Sequence, residues 1–487
     1  MNERREKPVI PADAIGVARD RNLDVPPRND ATNTLSRRSL LATVAAGAVL
    51  VPRRAKASEA TEMPPAPAPR PRSHGVRDWL EPGLPNRDYQ PVTVPNGTKL
   101  PWKIVDGVKV FHLVAEEVDH EFAPGLKATC WGYNGAIHGP LIEAVDGDRV
   151  RIYVTNRLAA STTVHWHAVL IPNGMDGVGG LNQRPIATGE TYKYEFTLHQ
   201  HGTAMYHAHH DEMTQMGLGM TGLFVIHPRG PHERVDRDFA LMLHEWRIRP
   251  GAHRPDPNEM VEFNVLTING KVFPGTDPLV AKTGQKVRIR IGNLSAMDHH
   301  PIHLHGYRFA ITETDGGQVP KSAQQPETTV LVPVGSTRTV EFVADAPGDW
   351  AMHCHMTHHV MNQMGHGIPN LIGVDTKGLD RAARSLIPGY MTMGQNGMGD
   401  MGDMSMSVPK NSIPMGGGHG KFGFITMGGM FSIFKVRDRL KGYGDPGFYE
   451  APGETLSIRA AESDLKKDGI DVNHPPEADG SDAVRTG

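Results

Sequence analysis

The sequence predicts an all-β chain: two Greek-key β-sandwich domains followed by a Met/Gly-rich C-terminal extension. Three observations lead there. Glycine and proline, 54 and 39 of 487 residues, recur with no triplet period, which favours turn-rich β architecture over long helices. No stretch sustains a 3.6-residue hydrophobic period, so helix is minor. One unit of sequence is also used twice. GETYKYEFTLHQHGTAMYHAH (189–209) aligns with GSTRTVEFVADAPGDWAMHCH (335–355) at a constant offset of 146, VDGDRVRIYVTNRL (145–158) matches KTGQKVRIRIGNL (282–294), and Asn134-Gly135 matches Asn269-Gly270.

The elements follow in chain order. Residues 1–57 read as an export signal: the twin arginine Arg37-Arg38, an apolar run too short to span a bilayer, then Ala55-Lys56-Ala57 for cleavage. That predicts a periplasmic or secreted protein with no membrane span. Residues 58–95 contain EATEMPPAPAPRPRSHG and are expected to be an extended, proline-rich linker, with folded structure beginning near residue 90. The first repeat occupies 96–230 and the second 264–376, joined by an interdomain segment, 231–263. Each copy holds short alternating runs between Gly, Pro and Asn turns, as a β-sandwich requires. Residues 377–487 form the extension. Nine of the 23 methionines fall between Met391 and Met430, either a Cu(I)-collecting surface or a flexible glycine-rich tail, while FGFITMGGMFSIFKVR alternates like a strand and could dock back onto a sandwich or a neighbouring subunit.

With 51 basic and 54 acidic residues, nothing in the charge favours nucleic acid as a partner, and two cysteines cannot build a disulfide framework. Twenty-six histidines point instead to soft and borderline metals. They cluster as His165-Trp166-His167, His207-Ala208-His209, His300-Pro301-Ile302-His303-Leu304-His305, and His353-Cys354-His355 followed by His359 and Met364. On a strand a His-x-His pair places both imidazoles on one face, while the intervening Cys354 faces the other way, towards a different metal. His300, Cys354, His359 and a weak Met364 make the donor set of a blue electron-transfer copper. Eight imidazoles remain, enough for three further coppers.

HWH, HAH, HPIHLHG and HCHMTHHVMNQM resemble the four copper signatures of the multicopper oxidases, and span residues 165 to 364. The resemblance implies cupredoxin-like domains and four coppers per chain. It implies a laccase-like reaction coupling one-electron oxidation of a phenol, an aromatic amine or a low-valent ion such as Cu(I) or Mn(II) to reduction of O2 to water. By position His300, Cys354, His359 and Met364 match the type 1 ligands, and His165 and His303 the type 2 ligands. His167, His207, His209, His305, His353 and His355 match the type 3 pair, with electrons passing from Cys354 through His353 and His355. Asp176 matches an acid that relays protons near the type 2 copper, whereas Thr357 stands where many members carry a second acid. Only about 90 residues separate His209 from His300, so the chain resembles the two-domain type, for which the resemblance implies a homotrimer with clusters between protomers. Ala208 stands in the first repeat where Cys354 stands in the second, so that domain should lack a blue copper.

Two other functions fit less well: a two-domain copper nitrite reductase, which needs only one isolated type 2 copper, and a copper-sequestering resistance protein. Cys130 reads as a small core side chain, His210, His358 and His366 as off-spacing neighbours of the motifs, and His244-Glu245 as a core or interface pair.

Overall fold

The computed structural model describes residues 79–230, 232–249, 251–362, 377–386, 410–414 and 416–476. The expected signal sequence, residues 58–78 of the linker, Met364, His366 and the methionine-dense stretch from Met391 to Met406 lie outside the described residues. No described helix is long and apolar enough to cross a membrane.

The first sandwich contains β1 (Trp102–Val105), β2 (Val108–Ala123), β3 (Leu126–Tyr133), β4 (Gly139–Val145), β5 (Arg149–Asn156), β6 (Val164–His165), β7 (Thr191–Thr197), β8 (Gly202–Ala208) and β9 (Thr221–His227). One sheet runs β1-β2-β5-β7 with β3 on β2; the other runs β4-β9-β8-β6. Alternation sets the core: β5 turns Val150, Ile152 and Val154 inward onto Trp166, Tyr206 and Phe224, and its arginines outward.

The second sandwich contains β10 (Arg237–Trp246), β11 (Val265–Ile268), β12 (Leu279–Lys282), β13 (Lys286–Asn293), β14 (His300–Leu304), β15 (Phe309–Thr314), β16 (Gly317–Gln318), β17 (Pro326–Glu327), β18 (Thr329–Val332), β19 (Ser336–Val343) and β20 (Gly348–Cys354). After a small hairpin of β21 (Gly418–Gly420) and β22 (Gly423–Ile425), β23 (Phe431–Arg437) completes it. Its sheets run β11-β10-β13-β19-β15-β16, with β17 on β15, and β12-β23-β20-β14-β18. The repeat is visible in the backbone: Asn134-Gly135 and Asn269-Gly270 both take positive φ at consecutive residues, 52° and 70° against 49° and 72°.

Three expected boundaries move. The packed chain begins near Trp79 rather than residue 90: the Gly83 amide donates to the buried Asp148 carboxylate, Tyr89 stacks on His227, and Val92 is buried. The interdomain segment 231–263 is not a linker throughout, because β10 lies inside it and pairs with β13 and β11 in the second sandwich. The Met/Gly-rich stretch is an insertion rather than a terminal extension. β23 pairs with β20 as β9 pairs with β8, placing Phe431 opposite His353 where Thr221 stands opposite His207. Twelve residues join β8 to β9, whereas 76 join β20 to β23. The alternating run at the far end therefore docks back on its own sandwich.

The β4-β9-β8-β6 sheet packs its outer face on the outer face of the β10-containing sheet. Met205, Leu223 and Val225 meet Ala240, Met242 and Leu294 there. The far half of the β2–β3 hairpin adds Phe122, Leu126 and the buried Cys130 against Trp246 and Val265, so Cys130 is a core side chain. Beside this contact the buried Arg290 holds Asp238 in a fork, at 2.8 and 3.0 Å, and reaches Glu313 at 3.2 Å and the Thr203 hydroxyl at 2.9 Å. Burial would raise the Glu313 carboxyl, but Arg290 and Arg288 hold it below its usual range. It therefore contributes stability above the ordinary glutamate pKa and loses that contribution as pH falls through its lower folded value. Arg290→Met leaves the buried Glu313 without an ion-pair contact and Asp238 with Arg288 alone at 3.3 Å, and should cost about 3–5 kcal/mol, read by denaturant unfolding of both proteins; an unchanged midpoint would show the fork to be dispensable.

Candidate metal centre

β14 and β20 are antiparallel neighbours, with Ile302 opposite Cys354 and His303 opposite His353. Ile302, Leu304, Met352 and Cys354 point into the core. By strand alternation His303, His305, His353 and His355 stand on the outer face. Cys354 and its flanking histidines thus serve opposite sides of one strand.

On the inner side three donors converge. His300 opens β14 and His359 sits on the short turn Thr357–Val360. Their Nδ1 atoms are 3.2 Å apart, and the Cys354 sulfur lies 3.4 Å from His359 Nδ1 and 3.8 Å from His300 Nδ1. All three residues are buried. Two imidazoles and a thiol facing one point at these separations fit a trigonal His2Cys copper site, for which a proton or metal must fill the gap between facing lone pairs. Burial, and then His359, lowers His300 to about 3, and burial raises the Cys354 thiol to about 12. A metal entering here meets a neutral His300 imidazole and has to displace the thiol proton of Cys354.

The outer nitrogens of both rings are held. His300 Nε2 lies 2.7 Å from the Ser295 hydroxyl, and His359 Nε2 lies 3.4 Å from an Asp298 carboxylate oxygen. Asp298 rests on Glu245, whose Oε1 accepts from the Met297 and Asp298 amides. Burial and then the Asp298 charge push Glu245 up to about 8. His244-Glu245 is thus a buried pair behind the His2Cys site. The returning end of the Met-rich insertion closes on the same place: the Cys354 amide donates to Met430, the Met430 amide to His359, and the Gly428 amide to Val360.

The other eight histidines form two quartets. His165, His167, His207 and His209 have ring centroids 5.3–5.8 Å apart on the outer face of the β4-β9-β8-β6 sheet and the turn after β6. His303, His305, His353 and His355 have centroids 4.8–5.8 Å apart. In each quartet backbone carbonyls select the tautomer. Nδ1 of His165, His207, His353 and His303 donates to Asp176, Ala208, Cys354 and Thr328, leaving Nε2 as the ligand atom. In His167 the roles reverse: Nε2 donates to Gly335 at 2.8 Å, and Nδ1 lies 3.3 Å from His207 Nε2. Burial lowers His207 to about 3 and also lowers His167, His305 and His353, so these rings are neutral, as metal ligands must be.

No imidazole of one quartet meets one of the other among the described residues. The first quartet lies on the sheet that packs against the second sandwich, but the second quartet lies on that sandwich's far sheet, with a sandwich core of roughly 10 Å between. His305 and His355 are exposed.

A carboxylate oxygen of Asp176 is 3.5 Å from His165. Ser295, Asp298, Glu245 and Glu212 were not legible as site residues. Glu212, in the helix α1 (Glu212–Gly217), lies 3.6 Å from His207 and 3.8 Å from His209. Only its place three residues after the HAH pair hinted at that contact.

Two family models described as multicopper oxidase match residues 115–231 and 249–371. The chain is 26% identical to copper resistance protein A of Escherichia coli over 319 residues, 55% of this chain and 51% of that protein. It is 35% identical to laccase-4 of Thanatephorus cucumeris over 224 residues, 39% of this chain and 41% of that one. It thus spans about half or less of these relatives' length. Among solved structures, the blue copper oxidase of Nitrosomonas europaea aligns with a TM-score of 0.50 at 25% identity, covering 67% of this chain and 85% of that one.

Proposed function

Because the chain belongs to the multicopper oxidase family, we propose that it is a laccase-like oxidase, exported by its twin-arginine signal. It couples one-electron oxidation of a phenol, an aromatic amine, Cu(I) or Mn(II) to four-electron reduction of O2 to water. The observation that carries this reading is the pairing, through one strand, of an inward His2Cys set with an outward quartet of imidazoles. His300, Cys354, His359 and Met364 hold the type 1 copper, His165 and His303 the type 2 copper, and His167, His207, His209, His305, His353 and His355 the type 3 pair. Bound there, four coppers supply one-electron transfer at the thiolate and reduction of dioxygen at the cluster.

The chain's own residues do the rest. Cys354 is covalently joined to His353 and His355, so one strand links the two kinds of site. Ser295 and Asp298 orient the rings of His300 and His359. Asp176, beside His165, is placed to hand on protons. Because the two quartets lie on sheets separated by a sandwich core, each cluster is completed by a second copy, and a closed ring of three satisfies every half-site.

The test is copper content together with oxygen uptake by the copper-loaded protein, offered a phenol, Cu(I) or Mn(II) in turn. Four coppers per chain and oxygen consumption are expected. Two coppers with nitrite reduction would move the reading to a nitrite reductase, and a larger, variable number without oxygen uptake to a copper store. Truncation after residue 376 would remove β23, so the insertion is tested by deleting 391–406 alone. If its methionines collect Cu(I), uptake with Cu(I) falls while uptake with a phenol holds.

A further inference from the structure

Beyond β23 the chain crosses the outer face of β20 and β23. The Tyr449 amide donates to Asp349 at 2.8 Å, Lys421 donates to the Tyr449 carbonyl at 2.9 Å, and the Lys435 ammonium lies 5.2 Å from the centre of the Phe448 ring. This is the face on which His353 and His355 stand, His353 buried and His355 exposed. At Pro452 the chain leaves it. From there to Pro476 every residue is exposed except the half-buried Leu465, and every hydrogen bond found among the described residues runs within the segment.

A segment that is only solvated is low in large and β-branched apolar residues. Here Leu456 and Ile458 stand two residues apart with Ser457 between them, and Ile470 and Val472 flank Asp471, so two pairs of apolar side chains lie on a segment that packs against nothing of its own sandwich among the described residues. Ile458, Ile470 and Val472 are 82%, 57% and 68% exposed, with the short helix Glu462–Lys467 between the two pairs.

We propose that residues 452–476 are an arm that docks on a second copy of this chain. The inference rests on the reading that the copper cluster is shared between copies: the copy that brings its first quartet to His353 and His355 stands where the arm leaves. The arm then clamps the interface that closes the cluster.

The test compares full-length, copper-loaded protein with a truncation after Ala451 and with the double variant I458D/I470D, by sedimentation across a dilution series. Both altered proteins should keep the blue absorbance, because the His2Cys set lies within one protomer. They should dissociate at a protein concentration at least about a hundredfold above that of the full chain, since large apolar side chains leave the interface. Association at the same concentration as the full chain would overturn the arm while leaving the shared cluster standing. A full-length protein that is monomeric and fully active would overturn the shared cluster, and the arm with it. If truncation disturbs folding, the double variant decides, because both side chains already face solvent.

Discussion

Replacing Cys354 by Ser will remove the blue absorbance and reduce oxygen uptake to background, while about three coppers per chain remain. The side chain is buried, and its amide is tied to Met430 by the backbone, so an isosteric hydroxyl leaves the strand in place. What is lost is the soft, polarizable sulfur and the link through adjacent residues to His353 and His355. The eight outward imidazoles do not contact the substituted atom, so the cluster still loads. Optical spectra, copper analysis and oxygen uptake on one preparation check all three statements. A variant that stays blue would overturn the assignment of Cys354, and one that loses all copper would mean that the quartets do not bind independently of the inner site.

Mixing two inactive proteins will restore activity. One variant, H165A/H207A, lacks the first quartet; the other, H303A/H353A, lacks the second. If each cluster takes one quartet from each of two protomers, random reassembly of equal amounts joins two intact quartets at about a quarter of the interfaces. Oxygen uptake should recover to about that fraction after dissociation and reassembly with copper. A cluster built within one chain would give no recovery, because neither protein carries both quartets. The geometry argues for recovery: the first quartet lies on the sheet buried between the sandwiches, His167 already meets the Gly335 carbonyl of the second, and the second quartet faces away on the far sheet.

Much of the donor set was legible in the sequence because strand periodicity is short and strict. A residue's face on β14 or β20 follows from parity alone, so HPIHLHG and HCH separate the inner His300 and Cys354 from the outer four histidines without any knowledge of neighbours. Boundaries were less legible. The repeat was read from its most similar stretches, which omit the parallel strand β10 at one end and β23, delayed by a 76-residue connection, at the other. Asp298, Glu245 and Ser295 carry no spacing signal, since their roles depend on which ring nitrogen each approaches.

The sequence by itself determined the all-β class, the twofold repeat, the absence of a thiol at Ala208, and the donors that share a face, all consequences of local alternation and turn chemistry. Only the tertiary structure decided that the methionine-rich stretch is an insertion whose returning end, Gly428–Met430, closes on the His2Cys site, and that the two quartets lie apart. Both depend on which sheet each strand joins, and strand pairing between residues distant in sequence is set by packing of whole faces, which no local period encodes.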